Sequence, residues 1–479
     1  MTPRARSVAP VVATVVAALV IAAVVAFTVE GSAVRPPSRG GAAEKLELRE
    51  TTDARLEALA AVADGDFQSE RVRTSAAAGW LGARPMNLKA DDWEPAIAAD
   101  PNAPYVYWLS TRFKPKPCPG NCPTPWIALA VSPDGGKTWG KVRPLCACKG
   151  SWQYDPIIEV VPETGDVYAL YLNGYNVDFV KSTDRGRTWS APVSTYGNVS
   201  WNDKPALTST DDGKHIYATW NGPTGGDPWV SVSHDFGRTW SQTKVVDSDR
   251  YFFAYDGTVL SDGTVVLSQS SIDYSGPGAS AVGAVQQHVF VSTDRGATWR
   301  DVLVDTVELG PPCETSGCYA DFHSGHSAVS SDRGDRLYHV YDGAVTAGGP
   351  QAVWFRTSDD GGRSWSARTR LSAAGVHSTG PVIEATGGRD LRVWYASQGV
   401  AKRWNVFARS STDGGATWSA PVKISDTISG NGYDNANGFL EFYGDYGEIA
   451  VTNRGKTVAT WGEGFSWLGP GNVWVNVER

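Results

Sequence analysis

The chain has 479 residues, a formal charge of −8 and 11% aromatic residues, including 20 Trp and 18 Tyr. A net negative charge excludes nucleic acid as the expected partner, because phosphate binding needs a basic face. Two Met beside 52 Gly and 28 Pro speak against a helical body and for many strands and turns.

Residues 1–30 read as a targeting element. Arg4 and Arg6 precede an uncharged run over 7–29, long enough to cross a hydrocarbon core at about 20 residues per span. Arginines before the run leave the remainder outside. Gly31-Ser32-Ala33 offers a cleavage point, so signal anchor and cleaved signal peptide are both open. Either way the body is extracytoplasmic, on the cell membrane through the N-terminal helix or secreted. Residues 31–75 form a linker, Gly/Pro/Ser-rich at first, with a charged Ala/Leu-rich stretch at 43–63 that suits a short exposed helix.

Six cysteines fall in three close pairs, Cys118/Cys122, Cys146/Cys148 and Cys313/Cys318. An even count in an exported chain reads as disulfides. Cys313 and Cys318 are expected to close their own loop, while the connectivity of Cys118, Cys122, Cys146 and Cys148 stays open. The CxxxC and CxC spacing of those four also admits a zinc site.

Beyond residue 76 one octapeptide, S-x-D-x-G-x-(T/S)-W, recurs six times around Asp134, Asp184, Asp235, Asp294, Asp360 and Asp413. The aspartates are 50, 51, 59, 66 and 53 residues apart, a period that marks a repeat architecture. The peptide suits a hairpin tip. Ser and Asp bond turn N–H groups, Gly takes a left-handed position, and Trp packs back over the hairpin. Alternating strands precede each box, as at 126–131 and 288–291, and two more lie upstream, as at 155–161 and 166–172. Four antiparallel strands per unit describe a propeller blade. A last unit without a box runs over 444–477, and an outer strand from 67–81 would close the ring. The expected fold is an all-β propeller over 76–479, with seven blades preferred and six the alternative.

These boxes resemble the bacterial neuraminidase (Asp-box) repeat superfamily, which includes sialidases, over roughly residues 90–479. The resemblance implies an extracytoplasmic propeller and a candidate glycan-active, exo-glycosidase-like protein. Sialidases hold the substrate carboxylate with three arginines, one in an Arg-Ile-Pro-like motif, and use a Tyr/Glu nucleophile pair and an Asp acid/base. Here the first blade instead reads Trp93-Glu94-Pro95-Ala96-Ile97, and no inner-strand entry carries arginine.

In such a meander the boxes lie near the outer rim, so their aspartates are expected to be structural. The entries of the inner strands converge on the axis instead. They supply Trp93-Glu94, Tyr154-Asp155, Asp203-Lys204, Tyr255-Asp256, His323 with His326, His377, and Asp445-Tyr446. Glu94, Asp155, Asp203, Asp256, Asp445 and Tyr446 are the catalytic candidates. Trp93, Tyr154, Lys204, Tyr255, His323, His326 and His377 are the ligand-binding candidates. Acids and imidazoles on one axis perturb each other's ionisation and suit acid/base work or a divalent cation at the mouth. Three readings follow: a glycoside-active enzyme, a non-catalytic cell-surface propeller binding a glycan or a protein, and a metal-centred hydrolase.

Overall fold

The computed structural model describes residues 76–479 except 88–89, 115–124, 146–151, 200, 223–225, 277–280, 312–324, 400–403, 426–433, 436–437, 440–445 and 465–470. The N-terminal segment, His323 and Asp445 lie outside the described residues. So do all six cysteines, Cys118, Cys122, Cys146, Cys148, Cys313 and Cys318. The disulfides expected of them, and the zinc site that Cys118, Cys122, Cys146 and Cys148 would admit, therefore fall outside the described residues too. Among the described residues no helix is long and apolar enough to cross a membrane.

The body is all-β and built from antiparallel meanders. The first sheet joins Asp91–Ala99, Val106–Lys114, Trp126–Ser132 and Arg143–Pro144. The second joins Gln153–Val160, Val167–Asn173, Val177–Ser182 and Val193–Ser194, and the third Asp203–Ser209, Ile216–Asn221, Pro228–Ser233 and Ser241–Lys244. The next two meanders begin at Tyr251–Val259 and at Ser327–Ser331, and fuse into one eight-stranded sheet through the pair Glu308 and Ala344. Ser378–Ala385 begins the next four-stranded sheet, which ends at Val422–Lys423.

The last sheet joins Glu448–Val451, Thr457–Gly464 and Gly471–Val477 to Arg84–Pro85 from the start of the body. The closing strand is the short run at Arg84–Pro85, with an isolated bridge from Trp80 to Glu478. The described end of the stretch 67–81 expected from sequence pairs there as well, Leu81 N donating to Val477 O at 2.9 Å, while 67–75 lie outside the described residues. Pairing the chain's start with its end removes two exposed sheet edges at once.

Each strand-rich unit buries the faces that alternation assigns. The second strand of the first sheet packs Tyr107 and Leu109 against Ile158, Val167 and Val180 of the second sheet. Trp108, Trp220, Trp394, Trp461 and Trp474 are fully buried, and truncating such a side chain costs about 3–5 kcal/mol.

The octapeptide turns supply the contacts between neighbouring sheets. Ser132 Oγ accepts from Gly136 N at 2.8 Å, and Asp134 accepts from Thr138 N at 2.8 Å and from Thr138 Oγ1 at 2.7 Å. The same bonds recur at Asp184, Asp235, Asp294, Asp360 and Asp413. Hydrogen bonds from Thr188 and Thr417 hold Asp184 and Asp413 down at about 2. The box glycine takes a left-handed φ and faces the preceding sheet. A Cβ at Gly186 would lie 3.3 Å from the Tyr107 ring, and one at Gly136 would lie 3.0 Å from Val477 in the last sheet.

Candidate active site

Seven chain segments, including the first strand of every meander, line one cavity of about 360 Å³. That size falls in the range of small-ligand sites. Lys204, Asp256, His326 and Tyr446 line it, whereas Glu94, Asp155 and Asp203 do not, and the strand registers define levels around it. Trp93, Tyr154, Asp203 and Thr379 pair with Thr111, Leu172, Asn221 and Ala396, and each is followed by a register shift. Such a bulge re-aims the next side chain. That next residue is Glu94, Asp155, Lys204 or Gly380, and in all four cases proline follows it.

Glu94, Asp155 and Lys204 have φ values of 52°, 48° and 50°, in the left-handed region. Gly380, at 62°, takes the same conformation without a Cβ. A residue before proline is normally driven to extended backbone, and a non-glycine left-handed residue costs on the order of 1–3 kcal/mol. Two more non-glycine outliers sit beside these three, Tyr175 at 62° and Trp201 at 65°. The remaining ones, Arg185, Phe236, Arg295, Asp335 and Arg389, lie in hairpin turns of the repeat. Among the described residues, left-handed non-glycine backbone ahead of a proline is confined to the first three sheets.

The strained residues form a polar cluster. Asp155 N donates to Glu94 Oε2 at 3.0 Å, and Thr111 Oγ1 donates to the same oxygen. Glu94, Asp155 and Asp203 are all buried. Burial, and then the neighbouring Glu94 charge, pushes Asp155 well above the usual carboxylate range; Asp203 bonds its side chain and Lys204 pulls the other way. Tyr446, half-buried at the start of the last sheet, is raised as well by burial and by Asp155 and Glu94. Five sequence candidates therefore meet here: Glu94, Asp155, Asp203, Lys204 and Tyr446.

The other candidates are placed differently. Asp256 pairs with Ser268, one level deeper than the residues opposite Glu94 and Asp155. It shares that level with Glu448, which pairs with Thr460. Trp93 and Tyr154 do not face the cavity; they sandwich Phe113, at centroid distances of 6.0 and 5.9 Å. Tyr154 stacks on Tyr175, and Tyr175 on Trp201, at 6.2 and 6.0 Å. Trp152, 47% exposed, meets Tyr175 edge-on. Tyr255 and His326 line the cavity together, 5.8 Å apart. His377 does not line it. Its Nδ1 accepts from Gln351 N at 3.2 Å, and burial lowers it to about 4.

Three cavity carboxylates are not among the sequence candidates. Glu159, Glu384 and Glu448 face Asp256 across the deeper levels. Burial raises Glu159 and Glu384 to about 8 and Asp256 to about 7, and lifts Glu448 well above its usual range. Superposing the repeats could have found two of them, since Asp155-Pro-Ile-Ile-Glu159 and Gly380-Pro-Val-Ile-Glu384 share one spacing. Asp342 is a further residue that the sequence does not single out. It is fully buried and receives donors from Gly325 N, His326 N, Thr379 Oγ1 and Gly380 N.

Among the described residues the cavity wall carries no arginine. Arg112, near the end of the second strand of the first sheet, is bound bidentately by buried Asp92, with Nη2 to Oδ2 at 2.7 Å. No group of three or more His, Cys, Asp or Glu among the described residues is arranged to hold a metal ion. The chemistry on offer is proton transfer by paired acids beside an aromatic wall.

No family model matches the chain, and no curated protein matches it. Among solved structures it is similar to a Hadza microbial sialidase, at 16% identity over 78% of this chain and 76% of that one, with a TM-score of 0.42. A polysaccharide lyase of the ulvan lyase type shares 11% identity over 82% and 95% of the two chains, with a TM-score of 0.49. An α-L-arabinanase from Penicillium chrysogenum shares 14% over 70% and 98%, with a TM-score of 0.44.

Proposed function

We propose that this chain is an extracytoplasmic seven-bladed propeller that cleaves a neutral glycan at the mouth formed by its first three sheets. The observation that carries the reading is the concentration of left-handed, pre-proline strain on Glu94, Asp155 and Lys204. Strain persists where surrounding structure enforces it, and it clusters at active sites. In this reading Asp155, kept protonated by burial and by Glu94, is the proton donor to the leaving oxygen. Glu94, oriented by Thr111 and the Asp155 amide, is the carboxylate that meets the developing positive charge, and Asp203 shares the Asp155 proton. Tyr446 stays a phenol and donates to a sugar oxygen. The aromatic column ending in Trp152 and Trp201 stacks on sugar faces. The absence of arginine from the described cavity wall favours an uncharged sugar over a carboxylated one.

A panel of neutral 4-nitrophenyl glycosides, compared with a fluorogenic sialoside, tests this. We expect turnover of at least one neutral glycoside, none of the sialoside, and a loss of about 100-fold or more in Asp155→Asn. The exposed Trp152 favours a second reading, a cell-surface propeller that binds a glycan without cleaving it. Saturable binding of a neutral oligosaccharide with no turnover of any glycoside would select that reading. A body held outside the membrane by residues 1–30, with disulfides among its six cysteines, belongs to both.

A further inference from the structure

His326 lines the cavity just ahead of the strand Ser327–Ser331, and its surroundings fix more than its position. Its Nδ1 lies 3.2 Å from Asp342 Oδ2. Asp342 Oδ1 accepts from Gly325 N at 2.7 Å and His326 N at 3.2 Å. Oδ2 also accepts from Thr379 Oγ1 at 2.6 Å and Gly380 N at 2.9 Å, across the junction with the next sheet. Three of the five neighbours are backbone amides, which can only donate, and the Thr379 hydroxyl donates here too. A carboxylate in that setting acts as acceptor throughout, so the fifth partner, the imidazole, has its proton on Nδ1.

The position of Asp342 is unusual within the repeat. The residues that pair with the corresponding first-strand positions elsewhere are Thr111, Leu172, Asn221, Ser270 and Ala396, all uncharged. Among these described positions only Asp342 is a fully buried carboxylate behind a residue that faces the cavity. Gly380, whose counterparts carry the strained acids and lysine, gives its N–H to that carboxylate instead.

We propose that Asp342 is a positioning residue that fixes His326 in the Nδ1-protonated tautomer, making Nε2 the proton-accepting atom of a second acid/base group in the mouth. A carboxylate behind a histidine sets both tautomer and ring orientation, and so decides which nitrogen does chemistry. The role of His326 in turnover rests on the glycan-cleaving reading above; the tautomer does not.

Histidine-labelled full-length protein, observed by long-range proton–nitrogen correlation well above the ordinary imidazole range, tests the inference directly. His326→Gln identifies the resonance. We expect a pyrrole-type Nδ1 and a pyridine-type Nε2, and loss of that preference in Asp342→Asn. A proton on Nε2 in the unmodified protein overturns the inference, as does an unchanged tautomer in folded Asp342→Asn. Should Asp342→Asn fail to fold, the unmodified spectrum decides alone. In the glycoside assay His326→Gln should lower kcat at least tenfold with an unchanged melt; full activity would reduce His326 to packing and overturn its catalytic part. The expected tautomer with no glycoside turnover would refute the glycan-cleaving reading while leaving the positioning intact.

Discussion

The backbone amide of Asp155 donates to the side chain of Glu94 at 3.0 Å, joining the first two sheets through one buried carboxylate oxygen. Both residues are left-handed and both precede proline. The bond therefore ties two strained turns to each other and places two acids where neither is solvated.

Glu94→Gln keeps the size and one acceptor oxygen, so the Asp155 amide and Thr111 can still be satisfied. We expect the fold to survive and glycoside turnover to drop by about 100-fold, mostly in kcat. It also removes a charge that keeps Asp155 protonated, so the alkaline limb of a pH–rate profile, where the proton donor is lost, should move to lower pH. Unaltered turnover in Glu94→Gln would remove this residue from the mechanism.

The octapeptide turns should behave as structure alone. Trp189→Ala or Gly186→Val is expected to lower stability by roughly 2–4 kcal/mol, through a truncated core contact or a valine forced into a left-handed site against Tyr107. Denaturant melts measure this. Lost activity with an unchanged melt would contradict it.

The deep acids make stability depend on pH. Glu159 and Glu384 titrate at about 8 in the folded chain against an ordinary value of 4.5. Between those values the folded state holds protons that the unfolded chain has released, so stability falls as pH rises through about 8 and is fully retained below 4.5 as far as these groups are concerned. We expect stability to fall continuously as pH rises across that window. Glu159→Gln with Glu384→Gln should make the fall shallower, leaving the part due to Asp256 and Glu448. A flat profile in the unmodified protein would show that the cavity is wetter than its packing implies.

Much of this is legible in the sequence, and the exceptions have physical causes. The repeats announce a meander of hairpins because their turn chemistry is local. Glu94, Asp155, Asp203 and Lys204 group together because each enters an inner strand. Glu159, Glu384 and Glu448 escape notice because an acid within an alternating strand reads as a solvent-facing position, whereas here the second face is a cavity wall. Asp256 reads as a mouth residue level with Glu94 and Asp155, but its bulge falls one residue earlier than the others, between Ala254 and Asp256, which sinks it one level. Asp342 lies on a second strand, and nothing in a linear reading connects it to His326 or Gly380.

Divalent ions test the cation reading of the mouth. With no arranged trio of ligands among the described residues, we expect melts in calcium, magnesium, zinc and excess chelator to superimpose. An ion at a hundredfold excess over its Kd would add about 2.7 kcal/mol, so a shift of several degrees that vanishes in Asp203→Asn would establish a bound cation.

The central claim is that the strain at the mouth is kept for function and not for the fold. The thermal midpoint of Asp155→Gly measures this most directly. Glycine adopts the 48° φ without a Cβ penalty and removes an acid that burial disfavours. We expect the midpoint to rise by about 2–4 °C, equivalent to roughly 1 kcal/mol. A lower midpoint would contradict the claim, because it would show that Asp155 stabilises the sheet it strains.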